Sequence, residues 1–428
     1  MKRTLYVCGS LALISSFGLA GGQSYAARQA APMRNVRLCV SAPVGIPSNA
    51  GLANGIYNGA RLASRQLKAQ FAAAHLNLLQ PITLDYAKSD GSGPNPDQER
   101  QNALNCIANK TVMGYDGTLN SSMALVSEPI LNAAGMVMIS PANSNVDLTS
   151  PKKRASQEPA TYRHQIPYVT YYRTVTTDAL QGPAGAIFLK NTLHAKSYYL
   201  VDDKQAYGAG LAASMDAYAK SKLGLHRVGI GHIDFTDSSS IAQTSNTVAD
   251  GIVAKNPDAV YYGGNLETGY TLARRLRQKG YTKPIMGGDA IVDPSWITHS
   301  GAGANNNYGS NIGPDIASAS AKFQRAYKAA FHTGLRSYDA TSYDAAKIIL
   351  LGVLHAKQNG LLKGSLKKMR LAVDNYVRHT NYFGATGHTT FDKNGDTQNR
   401  IISYYKVSGA NWKYTGAASG LANIAPTG

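Results

Sequence analysis

The stretch that decides the fold is Tyr198-Tyr199-Leu200-Val201-Asp202-Asp203-Lys204-Gln205-Ala206-Tyr207-Gly208-Ala209-Gly210-Leu211. An apolar run stops at two carboxylates, a short polar turn delivers Tyr207, and glycines open a helix. In an open α/β sheet, ligands bind in the crevice outside the carboxyl ends of such strands. Two further edges of the same kind follow, at Asp258-Ala-Val-Tyr-Tyr-Gly-Gly-Asn265 and at Pro284-Ile-Met-Gly-Gly-Asp289. Three strand ends offering Tyr207, Asn265 and Asp289 point to a binding crevice, and none of them demands chemistry.

Towards the amino end the same rhythm holds. Val36-Arg-Leu-Cys-Val40 reads as a short strand, and Ile56, Ala60, Ala63, Leu67 and Phe71 fall on one helical face. Ile82, Leu84 and Tyr86 alternate as a strand, and a helix is expected from about Gln98 to Ala108. Gly135-Met-Val-Met-Ile-Ser140 is strand-like and runs into the polar turn Pro141-Ala-Asn-Ser144. Strands alternating with helices imply an α/β fold, a doubly wound parallel sheet with helices on both faces. The pattern breaks at a basic, proline-marked loop, Pro151 to Pro159, and then resumes. Late in the chain, Phe323, Tyr327, Ala330 and Phe331 mark one helix, and Tyr343, Ala346, Leu350 and Val353 another. Thr389-Thr-Phe-Asp-Lys-Asn-Gly-Asp396 carries a hairpin signal with Asn394-Gly395 at the turn.

A chain of 428 residues favours two domains over one core. Lys2 and Arg3 precede an apolar run from Leu11 to Ala20, and Ser24-Tyr25-Ala26 supplies small residues for cleavage. Residues 1–26 therefore read as a secretory signal peptide, too short for a lasting membrane span. Cys8 lies before the apolar run, which argues against lipidation. Residues 27 to 34 read as a disordered lead. If the strand order is 2-1-3, Cys39 on the first strand and Cys106 on the crossing helix are placed to pair in an oxidising compartment. Two separately buried thiols are the other reading. The formal charge of +18 raises nucleic-acid binding, but the basic residues are dispersed and lack an interleaved aromatic platform.

Signatures of catalysis are missing. The chain holds no Gly-x-x-x-x-Gly-Lys-Ser/Thr loop, no Gly-x-Ser-x-Gly elbow and no His-x-x-x-His pair. No cofactor, no metal and no enzymatic activity are expected. Asp392, Asn394 and Asp396 imitate the start of a calcium loop, but Thr397 and Ser403 stand where glycine and a bidentate glutamate are required. Ser121-Ser122 precedes an apolar helix, and Ala142-Asn143-Ser144 follows a strand. Hydroxyls and free amide N–H groups at such points suit a carboxylate. With Asp289 for a cation, they fit a zwitterion.

These residues closely resemble the type I periplasmic binding proteins of the leucine/isoleucine/valine-binding class. The resemblance runs over nearly the whole mature chain. It is carried by Asp203-Lys-Gln-Ala-Tyr-Gly-Ala-Gly-Leu211, Val260-Tyr-Tyr-Gly-Gly264, Met138-Ile-Ser-Pro-Ala142 and Gly387-His-Thr-Thr-Phe-Asp-Lys-Asn-Gly-Asp396. It implies two lobes joined by a three-stranded hinge, with residues 34–175 and 311–382 in one and 176–310 and 383–428 in the other. It also implies a ligand site at Ser121, Ala142, Asn143, Ser144, Tyr207, Asn265, Asp289 and Tyr338, where Asp289 faces the α-ammonium and Tyr338 walls the side-chain pocket. Asn265 stands where the family commonly has tyrosine, Leu52 at a position often aromatic, and Asn120 at one position of an absent cysteine pair. The implied role is periplasmic capture of an amino acid or similar polar solute for an ABC permease. The alternative is a sensing module of the same fold with a separate signalling partner.

Overall fold

β1 (Arg34–Ser41) occupies the middle of a sheet whose strands all run parallel. It starts two residues earlier than the apolar run suggests. The structure is a computed structural model and describes residues 33–150, 169–422 and 424. The expected signal peptide and the loop Pro151 to Pro159 lie outside the described residues, as does the lead up to residue 32. α1 (Ala50–Ala73) buries Ile56, Ala60, Ala63, Leu67 and Phe71 as the 3.6-residue spacing requires. β2 (Leu76–Leu78) and β3 (Ile82–Leu84) then pair with successive parts of β1. α2 (Pro96–Ala108) is opened by Asn95, whose Oδ1 accepts from the N–H groups of Asp97 at 3.0 Å and Gln98 at 3.2 Å. β4 (Val112–Gly117), α3 (Ser121–Ala133), β5 (Met138–Ser140) and β6 (Tyr171–Arg173) complete the sheet, in the order β2-β1-β4-β5-β6.

Strand 1 therefore lies between strands 2 and 4, and the helix crossing it brings Cys106 to Cys39. The two form a disulfide with a Cα–Cα separation of 6.4 Å. Of the two readings open at the sequence level, pairing is the one realised.

The chain then leaves for a second sheet. α4 (Asp178–Asn191), β7 (Ser197–Asp202), α5 (Ala206–Leu223), β8 (His226–His232), α6 (Ser238–Lys255), β9 (Ala259–Gly263), α7 (Leu266–Gln278), β10 (Ile285–Gly287), α8 (Pro294–Ser300) and β11 (Asn307–Asn311) repeat the alternation. The chain returns to the first sheet for α9 (Ala321–Phe331), α10 (Asp339–Gln358) and α11 (Leu366–Arg378). α10 and α11 pack on β4, and α1 packs on α10. Gly59 makes that helix pair possible, because a Cβ there would lie 2.5 Å from the Asp339 carbonyl oxygen. After the small β12 (Tyr382–Phe383) and β13 (His388–Thr389) ladder, the chain crosses a third time. It adds β14 (Ser403–Ser408) and β15 (Asn411–Ala417) antiparallel to the edge of the second sheet, whose order is β15-β14-β11-β10-β9-β7-β8.

The hairpin expected around Asn394-Gly395 is reduced to a turn. Phe391 and Thr397 form one isolated antiparallel bridge, and Gly395 takes φ +95°. A Cβ at Gly395 would meet the Tyr171 carbonyl at 2.1 Å, so the segment is packed against β6 and does not extend a ladder.

Beside the disulfide, the Glu99 carboxylate on α2 is fully buried. It accepts from Ser41 Oγ and Tyr115 OH, each at 2.7 Å. Burial pushes it up to about 7, and these hydrogen bonds oppose the shift only partly. A carboxyl raised above its ordinary value near 4.5 gives stability that is full below that value and lost as the pH rises through about 7. Glu99→Gln removes this dependence. The melting-temperature difference between the variant and the wild type should therefore move by several degrees in the variant's favour from pH 4.5 to pH 8. Parallel calorimetric scans of both proteins measure it.

Candidate ligand-binding site

The carboxyl ends of five strands converge on one pocket. β4 leads to Ser121, β5 to Ala142, β7 to Tyr207, β9 to Asn265 and β10 to Asp289. Tyr338, immediately before α10, closes the ring, and Asn49, Leu52, Leu119, Asn120 and Ala290 fill the remaining wall. Gly208 lets α5 settle against β9, since a Cβ would meet the Gly263 carbonyl at 2.6 Å. That close approach carries Tyr207 into the pocket.

Asp289 is the most heavily engaged group. Tyr207 OH donates to Oδ1 at 2.9 Å and Tyr338 OH donates to Oδ2 at 2.5 Å. Tyr338 thus does more than wall a side-chain pocket, because its hydroxyl reaches the carboxylate. Burial raises the Asp289 pKa, and hydrogen bonds from Tyr338, Gln181 and Tyr207 counter the shift. Asp178, the first residue of α4, was not singled out from the sequence. Its two carboxylate oxygens are buried beside the Ser144 side chain with no bond of hydrogen-bonding length among the described residues, and its backbone N–H donates to the Ser144 carbonyl at 2.9 Å. Burial, and next the Asp289 charge, hold its pKa well above the ordinary range. An aspartate opening a helix after a strand looks like an ordinary dipole partner in sequence. Only its lack of partners sets it apart, and it lies behind the pocket wall, not in it.

Two serines share this condition. Ser121 Oγ at the start of α3 and Ser144 Oγ are buried without partners among the described residues. Native structures rarely leave such groups unpaired. Ser121 lines the pocket, whereas Ser144 lies one layer behind it, beside Asp178. Asn143 does not reach the pocket. Its Nδ2 donates to the Thr118 carbonyl at 2.9 Å and the Leu119 carbonyl at 3.0 Å, so its amide ties the β4 turn to the β5 turn. Asn265 is in the pocket wall, but its amide is held by Asp203 and by Asn120.

Arg173 at the end of β6 sets the loop that carries Ser144. Its Nη1 donates to the carbonyls of Asn143 at 3.0 Å and Asn145 at 2.8 Å, Nη2 bonds Thr149, and Nε meets Asp396 Oδ1 at 2.6 Å. The acidic turn that imitated a calcium loop thus supplies a partner for a guanidinium. Across the cleft, Ser48 bonds Glu267, Lys88 Nζ donates to the Thr236 carbonyl at 2.7 Å, and Arg336 Nη1 reaches both Asp293 oxygens at 2.7 and 2.8 Å.

A family model described as periplasmic binding protein matches residues 48–405. The chain belongs to this family. The leucine-specific-binding protein of Salmonella typhimurium is 26% identical over 249 residues, 58% of this chain and 59% of that protein, so the match spans under two thirds of the relative's length. The Leu/Ile/Val-binding protein homolog 3 of Brucella melitensis is 21% identical over 304 residues, 71% of this chain and 75% of the relative. Among solved structures, the leucine-binding protein LivK of Thermotoga maritima superposes with a TM-score of 0.73 at 21% identity, covering 90% of this chain and 99% of the other. LivJ of Streptococcus pneumoniae, solved with isoleucine, gives 0.70 at 18% identity, with 90% and 99% covered. At these identities the superpositions establish the two-lobed type I fold. Members of this family bind solutes; among the described residues no helix is long and apolar enough to cross a membrane.

Arg173→Met removes a buried ion pair and three further bonds at once. Breaking a buried pair costs about 3–5 kcal/mol. Thermal denaturation of the variant should show a melting temperature lower by many degrees.

Proposed function

We propose that this chain is the extracytoplasmic receptor of an ABC transporter, which captures an amino acid or similar small zwitterion between its lobes and hands it to a membrane permease without turning it over. We take the lobes to be residues 34–175 with 311–382, and 176–310 with 383–428. The division of helices and strands between the two sheets supports these boundaries. The basic, apolar and small-residue sequence of residues 1–26 supports a periplasmic location.

The observation that carries the reading is the pairing of unmet needs. Ser121 holds a hydroxyl without a partner among the described residues in the wall of a pocket that also contains Asp289, and Ser144 and Asp178 lie beside each other one layer behind that wall. A ligand carboxylate accepts from the Ser121 hydroxyl and from the N–H groups at the start of α3. A ligand ammonium sits against Asp289 and favours its ionised form. Each end of the guest then belongs to a different lobe, so binding favours the closed arrangement over the open one.

A hydrogen bond to a charged group is worth about 1.5–3 kcal/mol net, which corresponds to roughly ten- to hundredfold in affinity. Ser121→Ala should weaken binding of the ligand within that range, and Asp289→Asn by at least as much. Isothermal titration of both variants, with a ligand found by thermal-shift screening of the twenty amino acids, tests the assignment. Unchanged affinity in both removes these residues from the site.

A further inference from the structure

One end of the pocket is lined by three carboxamides, Asn49, Asn120 and Asn265, flanked by Leu52 and Leu119. Two of them form an oriented relay across the cleft. Asn265 Nδ2 and its backbone N–H both donate to Asp203 Oδ2, at 2.6 and 2.8 Å. Burial pushes Asp203 up to about 6, so at neutral pH it is ionised and only accepts. That fixes Asn265 with its oxygen towards the other lobe, where Asn120 Nδ2 donates to it at 3.0 Å. At the far end Tyr86 OH accepts from the N–H groups of Leu119 and Asn120, both at 3.1 Å, and so gives its own proton to Asn120 Oδ1 at 3.0 Å. Neither the Asn120 nor the Asn265 amide is free to flip.

A carboxamide has two donor hydrogens and two acceptor lone pairs. The relay uses one of each on Asn120 and one of each on Asn265. Each residue therefore keeps one N–H and one lone pair in a buried wall. Asn49 stands at the cap of α1 yet makes no capping bond, and its side chain has no hydrogen-bond partner among the described residues. A wall of this kind matches a ligand group that both donates and accepts. Covering it with hydrocarbon leaves buried polar groups unmet, and sites built to bond a polar group reject analogues that lack it far more strongly than apolar pockets reject a hydroxyl.

We infer that the ligand is an α-amino acid with a short, neutral side chain ending in a carboxamide or hydroxyl, selected by the Asn49, Asn120 and Asn265 amides over an aliphatic side chain of the same shape. This rests on the amino-acid reading of the cleft proposed above.

Two isosteric pairs test it without changing ligand size: asparagine against leucine, and threonine against valine. Isothermal titration of the full mature chain should give the polar member of at least one pair an affinity at least tenfold higher. Asn265→Leu should narrow that ratio to below threefold. Because this variant removes the side-chain amide that bonds Asp203, its folding is checked by its circular dichroism spectrum. Asn49→Leu, which breaks no bond within the protein, provides the same readout if Asn265→Leu does not fold. Leucine and valine each binding as tightly as its polar partner overturns the inference while leaving amino-acid capture intact. A preference that survives both variants overturns the assignment to these amides. Failure of all twenty amino acids to bind removes the zwitterion reading and this inference with it.

Discussion

Asp289 accepts one hydroxyl proton from Tyr207, on the helix after β7, and another from Tyr338, on the segment before α10, so a single carboxylate is gripped from both halves of the molecule. The rest of the cleft is arranged around that grip. An ionised carboxylate in a dry pocket is unfavourable unless hydrogen bonds or a cation offset its lost hydration. The two phenols provide part of the offset, and on the function proposed above a ligand ammonium provides the remainder. Asp178 sharpens the demand. Burial and the nearby Asp289 charge raise its pKa, and the Ser144 side chain beside it counters the shift.

Local folding rules and site chemistry conflict at these positions in an informative way. Buried hydroxyls normally cap helices or return a bond to the preceding turn, as Ser64 and Ser127 do. Ser121 and Ser144 do neither. Held by strand ends and by the Arg173 knot, they cannot turn away to find partners within the protein. The scaffold thus maintains polar atoms in a state that the chain alone does not satisfy, which is how a preorganised binding site differs from an ordinary interior.

Much of this was readable from the amino acids, because it depends on pattern. The helix faces of α1 and α10, the strand ends at Asp202, Gly263 and Gly287, and the delivery of Tyr207, Asn265 and Asp289 to one place follow from periodicity and from where a parallel sheet keeps its crevice. What was not readable depends on orientation. Asn143 and Ser144 are adjacent to Ala142, but a three-residue turn directs each side chain differently. Nothing in Pro-Ala-Asn-Ser specifies that the asparagine knits two turns together while the serine faces an acid. Asp178 escaped notice because its partner is defined by absence. The pairing of Asn120 with Asn265 joins residues 145 positions apart on opposite sides of the cleft, a distance no local pattern spans. The acidic turn at Asp392 to Asp396 was read correctly as a turn, but its guanidinium partner lies on a strand more than 200 residues earlier.

That last link has a bearing on how the molecule is made. Arg173 shapes the loop of Asn143 to Asn145, and Asp396 in turn anchors Arg173, with 223 positions of sequence between the two charges. A polypeptide emerging amino end first has its recognition loop long before it has the anchor for that loop. That loop therefore takes its final setting only when the third passage between the sheets has been completed. Until then the first lobe has its strands but lacks the counter-charge that sets its grip.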